Sequence, residues 1–239
     1  MTFKDDIYQL CKEVATEFEN WNFVSGSFKN KSLKHTELFV RLGFSFRHGN
    51  TPLQPTIWLL NKRCSALYFK IFKRKPPFTS LINFKIIYKD LQYMPENLRR
   101  GGWIHQDKKL QMALAPPSEQ AQAGMIDITE VRPVLRDVMR DGIAFIEKHY
   151  DLGSEENLLR NLPPKYTSYV GTWGYDELEK QKGVMMCLVR ILLGDFDFIM
   201  NYRSEDYKTI YPKSLTELDK IIAALPELKK RHAETGSVI

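Results

Sequence analysis

Ile7, Leu10, Cys11, Val14 and Phe18 recur at the spacing of one helical face, with acids and lysines between them. Residues 5–19 therefore predict an amphipathic helix. The period then drops to two. Over Glu37–Arg47, Leu38, Val40, Leu42, Phe44 and Phe46 point one way, and Phe39, Arg41, Gly43, Ser45 and Arg47 the other. Such alternation predicts a half-buried strand. Thr56–Leu60 is a short apolar run that predicts a second strand. Leu67, Phe69 and Ile71 alternate with Tyr68, Lys70 and Phe72 as a third, and Ile82, Phe84, Ile86 and Tyr88 with Asn83, Lys85 and Ile87 as a fourth. Ser25-Gly26-Ser27 and the cluster His48–Pro52 read as turns. Short connections favour an antiparallel pairing with one covered face.

Helical patterning returns after residue 126. Val131, Leu135, Val138, Gly142, Phe145 and Ile146 form one stripe, with Asp127 or Thr129 as cap and Pro133 in the first turn. Ser154 caps a short helix that ends at Pro163-Pro164. Asp176–Leu193 predicts a longer helix closed by Gly194. Ser214 and Glu217 have the spacing of a capping box for the last helix. The expected fold is α+β: an N-terminal helix, an antiparallel sheet of four or more strands, then a C-terminal helical module. The irregular stretch 90–126 sets the expected boundary, giving modules 1–115 and 116–239.

Charge changes this picture more than composition does. The 239 residues carry a net charge of +6, but residues 1–120 hold 19 basic and 10 acidic side chains, while residues 121–239 hold 16 and 19. Between Asn20 and Lys89 there are 13 Lys or Arg and one acid, Glu37. A run this one-sided attracts an acidic partner. On the strand pattern above, Phe39, Arg41, Arg47, Tyr68, Lys70, Phe72 and Lys85 share the face opposite the core. Guanidinium groups beside aromatics suit a binding surface, because Arg offers planar hydrogen bonding and rings bury area at low entropic cost. These seven residues are the candidate partner-binding set. The same basic aromatic stretch, 20–89, supports nucleic-acid binding as the alternative. The bland reading of both is a solvated outer sheet face.

Catalytic and metal signatures are missing from the sequence. The histidines stand outside any HExxH, HxH or CxxC-type spacing, and no GxSxG elbow or phosphate loop occurs. His105 and Asp107 would share a strand face and form an acid–base pair, though a polar loop explains them as well. Cys64 follows Arg63, which would lower a thiol pKa, but Cys11, Cys64 and Cys187 read more simply as small apolar residues in a reducing compartment. No catalytic residue, metal or cofactor is expected. The acidic N-terminus lacks a signal peptide's apolar run, and Val184–Leu193 is too short for a span, so a cytoplasmic protein away from membranes is expected.

The succession LFVRLGFSF, TIWLL, ALYFKIF, INFKIIY, a Gly-Gly-Trp103 loop, ITEVRPVLRDVMRDGIAFIEKHYD and SEENLLRNLPP resembles a group of uncharacterised bacterial domains encoded beside polymorphic toxins. The resemblance spans about residues 5–200 in pattern. It implies a toxin-immunity protein that occludes its toxin without catalysis. Inhibitors of nucleases are often acidic, so this basic sheet implies an acidic surface or cleft on the target.

Overall fold

A computed structural model describes residues 2–76, 82–84, 101–114, 118, 122–162, 175–204 and 213–239. Helix α1 (Phe3–Ala15) starts from a capping box in which Thr2 and Asp5 satisfy each other's backbone N–H groups. It buries Ile7, Cys11 and Val14 of the expected stripe together with Phe3 and Ala15, while Leu10 is half-buried and Phe18 lies beyond the helix end. Two short strands follow, β1 (Trp21–Val24) and β2 (Ser27–Asn30), with Phe23 opposite Phe28. Ser25 and Gly26 both have positive φ, 52° and 76°. This is the two-residue turn whose twist matches a hairpin.

Strand β3 (Thr36–Arg41) pairs antiparallel with β2 and buries Leu38 and Val40. It stops well short of the expected Arg47. Gly43 takes φ 68°, and a Cβ there would lie 2.9 Å from the Gln54 carbonyl oxygen, so the chain turns out of the strand. The alternation survives this break: Leu42 is buried, while Phe44 and Phe46 pack their rings against Tyr8 and Phe3 of α1. Strands β4 (Asn50–Leu53) and β5 (Thr56–Asn61) follow, then helix α2 (Lys62–Phe72) and strand β6 (Ile82–Phe84). The main sheet has the order β1-β2-β3-β5-β6. Strands β7 (Gly102–His105) and β8 (Met125–Asp127) complete a second sheet of order β4-β7-β8, with helix α3 (Lys108–Leu114) between them in sequence. The expected strand over 67–72 is instead helix, a correction with consequences for the candidate site.

A 3-10 turn at Ile128–Glu130, capped by Asp127, leads into helix α4 (Val131–His149), which buries the six positions of the expected stripe. Then come α5 (Glu155–Arg160), capped by Ser154, α6 (Tyr175–Leu192), α7 (Asp197–Ser204) and α8 (Leu215–Thr235). Ser214 makes no side-chain cap to α8; its hydroxyl contacts the Glu217 carboxylate instead of a backbone N–H. The α+β class, with an N-terminal helix, an antiparallel sheet and C-terminal helices, is as the pattern predicts.

The chain divides into two compact units, Met1–Ser32 with Glu37–Trp58 and Phe84–His149, and Leu33–Thr36 with Leu59–Asn83 and Tyr150–Ile239. This division differs from the expected boundary at 115/116. In the first unit α4 packs on α1, and in the second α2 packs on α6. In the first unit Gly142 of α4 meets Val40 so closely that a Cβ would stand 2.9 Å from Val40 Cγ2. The second has its own core, in which Cys64, Leu67 and Tyr68 of α2 join Val184, Leu188 and Ile191 of α6 and Leu218 and Ile221 of α8.

The α1–α4 pairing is clasped at its rim. Arg136 Nε donates to Glu17 at 2.6 Å and Arg132 Nη2 at 3.2 Å. Arg136, and secondarily Arg132, hold the Glu17 carboxyl down at about 2. A depressed carboxyl pKa stabilises the fold above its unfolded value, and that contribution disappears as pH falls through the folded value. Denaturant unfolding of the wild type and Glu17→Gln is thus expected to differ at neutral pH. The two curves are expected to converge as pH drops from about 4.5 to about 2. A constant difference across that range means the clasp is not ionic.

Candidate functional site

Alternation along β2, β3 and β5 sorts side chains onto two faces. Phe28, Leu38, Val40 and Ile57 go to the core. Lys29, Phe39, Arg41 and Trp58 go to the other face, where Arg41 is exposed and the other three are half-buried. The register places Lys29 opposite Phe39 and Ser27 opposite Arg41. Lys29 and Arg41 therefore stand on a diagonal of this face, a separation of roughly 7–8 Å in an antiparallel pair.

Each cation lies on an aromatic ring. Lys29 Nζ is 5.0 Å from the Phe39 centroid, and Arg41 Cζ is 4.1 Å from the Trp58 centroid. Cation–ring contact of this kind is attractive and holds a long side chain in place. Trp58 is itself anchored, since its indole N–H donates to Thr56 Oγ1 at 3.1 Å. The acid of the basic run, Glu37, sits beside Lys31, with Oε1 3.9 Å from Nζ. Among the described residues no carboxylate pairs with Lys29 or Arg41. The face thus presents two ring-seated cations that meet no described carboxylate, with Glu37, turned toward Lys31, on the same face two positions before Phe39.

Of the expected partner-binding set, Phe39 and Arg41 lie on this face. Arg47 is exposed beyond the end of β3, in an isolated bridge with Asn50 next to the His48-Gly49 turn. Tyr68, Lys70 and Phe72 do not join them, because residues 62–72 are helical. Tyr68 is fully buried, Phe72 packs on it with ring centroids 4.4 Å apart, and Phe69, expected in the core, is 54% exposed. Lys70 is paired within the second unit, with Glu227 at 3.2 Å and the Val238 carbonyl at 3.5 Å. Arg74 is likewise 3.2 Å from Glu217. Lys85 lies outside the described residues. Lys29, Thr56 and Trp58 were missed by sequence reasoning. The signal for Thr56 and Trp58 was the alternation over 56–61, where Ile57 and Leu59 turn inward and Trp58 must turn out; Lys29 stands between the buried Phe28 and Asn30 of β2.

The His105–Asp107 pair takes on structural work. His105 is 8% exposed in the centre of the three-stranded sheet, opposite Asn50 and Asp127. Burial first, and Lys108 second, push its pKa down, which keeps the ring neutral. Asp107 Oδ1 accepts from the Leu110 N–H and caps α3. Asp127 accepts from the backbone of Lys108 and Thr129. Both nearby carboxylates are thus occupied with helix starts. Cys64 is fully buried, and desolvation pushes its thiol up despite the adjacent Arg63; Cys187 rises to about 12 for the same reason. Neither thiol has the electropositive, open setting that a reactive cysteine requires. Among the described residues no group of three or more His, Cys, Asp or Glu is placed to hold a metal ion, and no helix is long and apolar enough to cross a membrane. No protein-family model, curated protein or solved structure matches the chain.

Proposed function

We propose that this chain is a non-enzymatic binding protein that captures an acidic protein partner on the outer face of its main sheet, and that it serves as an immunity protein occluding a bacterial toxin. The observation that carries the binding reading is the Lys29/Phe39 and Arg41/Trp58 array, two ring-seated cations without a carboxylate among the described residues. Lys70 and Arg74 are neutralised by Glu227 and Glu217, whereas Lys29 and Arg41 each rest on a ring of the sheet and meet no described carboxylate. The toxin role comes from the sequence resemblance. An acidic target would be steered to such a face and held there by opposite charge.

Nucleic-acid binding is the competing reading, and the ring geometry disfavours it. Single strands bind by stacking bases on open ring faces along a continuous basic groove. Here Phe39 and Trp58 each already carry a cation of their own.

The test is co-expression with the product of the adjacent gene. A stable complex is expected, with protection of cells that make the toxin. The double variant Lys29→Glu/Arg41→Glu should still fold and should lose most of that protection. Absence of both complex and protection rules the reading out. Tight, steeply salt-dependent binding of a single-stranded oligonucleotide, without any protein complex, would instead establish the alternative.

A further inference from the structure

Resting on that reading of the sheet face, we infer that Arg41 is its specificity-determining residue: Thr56 and Trp58 hold the guanidinium so that it takes a side-chain carboxylate of the protein partner through two parallel hydrogen bonds. The face then discriminates by the shape of the anion as well as by its charge.

The support is a chain of contacts within the first unit. Thr56 Oγ1 accepts the Trp58 indole N–H at 3.1 Å, which fixes the ring about its χ angles. The Arg41 guanidinium carbon lies 4.1 Å from that ring's centroid, within stacking distance. A guanidinium seated on a ring leaves its in-plane N–H edge open, and that edge matches the two oxygens of a carboxylate. Arg41 is exposed, and no described carboxylate already occupies it. An unsupported arginine on a strand would have to give up rotamer freedom on binding, whereas this one has given it up in the free protein. Lys29, across the diagonal, has no fork. Its ammonium on Phe39 supplies a point charge that steers and leaves selection to Arg41. A partner that offers two acids to the diagonal satisfies both cations, and the fork decides whether they are carboxylates.

Arg41→Lys keeps the charge and removes the fork. Titration of the wild type with a fluorescein-labelled oligo-glutamate peptide, followed by anisotropy, is expected to show saturable binding. Arg41→Lys is expected to weaken it about tenfold, the equivalent of one charge-assisted hydrogen bond. Trp58→Leu, which leaves Arg41 in place but unsupported, is expected to weaken it similarly. The double variant Arg41→Lys/Trp58→Leu should be no weaker than either single one, because the ring acts only through the arginine. That non-additivity separates a positioning role from simple damage to the sheet, and Trp58→Phe, which keeps a ring but loses the N–H held by Thr56, should recover only part of the loss. Equal affinities for wild type and Arg41→Lys, with Arg41→Glu still weak, would overturn the inference and leave the acidic-partner reading standing. Failure of the wild type to bind both the oligo-glutamate peptide and the adjacent gene's product removes that reading and the inference with it.

Discussion

Replacing Asn61 by alanine is expected to lower the stability of the protein by about 3 kcal/mol, roughly 6–12 °C in Tm for a chain of this size. Asn61 closes β5 and caps α2, its Oδ1 accepting the Cys64 N–H at 2.9 Å. Its Nδ2 donates to Thr36 Oγ1 at 2.9 Å, and that hydroxyl donates to Glu155 Oε1, also at 2.9 Å. Asn61 and Thr36 are both essentially inaccessible, at 0% and 1%. Alanine removes the cap, worth about 1 kcal/mol, and also strips a donor from a buried hydroxyl, worth about 2 kcal/mol more. Asn61→Asp is the informative companion. It keeps the cap acceptor and loses the donor to Thr36, so it should recover only part of the loss. Thermal unfolding of both variants checks this, and an alanine variant within about 0.5 kcal/mol of wild type would mean the relay carries no weight.

Gly142→Val is expected to cost a comparable amount, about 3 kcal/mol, through overpacking. Glycine within a helix is ordinarily a weakness, and alanine would gain up to about 1 kcal/mol of helix propensity. Here the gain is outweighed by contact. A Cβ at 142 stands 2.9 Å from Cγ2 of Val40, a fully buried β-branched residue with little rotamer freedom to retreat. A branched side chain adds two further carbons to that clash. Val40→Ala should be destabilising by itself, yet in combination with Gly142→Val it should recover part of the cost, because the deleted methyls make room for the new ones. Additive losses in the double variant would place the clash elsewhere.

Both effects depend on pairings that a periodicity argument finds only in part. The stripe through Val131, Leu135, Val138, Gly142 and Phe145 was legible because a long amphipathic helix repeats its signal several times. So was the inward set Leu38, Val40 and Leu42. Glycine at 142 fitted the stripe, but nothing in the sequence told which residue demanded its smallness. Residues 67–72 show how a short window misleads. Leu67, Phe69 and Ile71 alternate as a strand would, yet Cys64, Leu67, Tyr68 and Ile71 also stand at i, i+3, i+4 and i+7. With Asn61 as cap, that second pattern is the one that folds. The strand reading put Tyr68, Lys70 and Phe72 on the candidate face, where the helix does not place them, and hid Phe69's exposure.

The candidate site was legible to a similar extent. The one-sided charge of residues 20–89 pointed to the sheet, and Phe39 and Arg41 fell where alternation put them. What the sequence cannot show is which of those cations meet carboxylates far along the chain. Lys70 and Glu227 are partners across 157 positions, and Arg74 and Glu217 across 143. Once those pairs are formed, Lys29 and Arg41 stand out because Phe39 and Trp58 carry them and no described acid does.

The proposed capture depends on opposite charge at those two positions. The most direct measurement is the dissociation constant of the complex with the adjacent gene's product as a function of salt, for the wild type and for Lys29→Gln/Arg41→Gln. Wild-type affinity should fall steadily as salt rises, since screening reaches exposed charges first. The variant should start weaker and fall much less, so that the two curves approach each other at high salt. Parallel curves of equal affinity would contradict the claim that this face is where the partner is held.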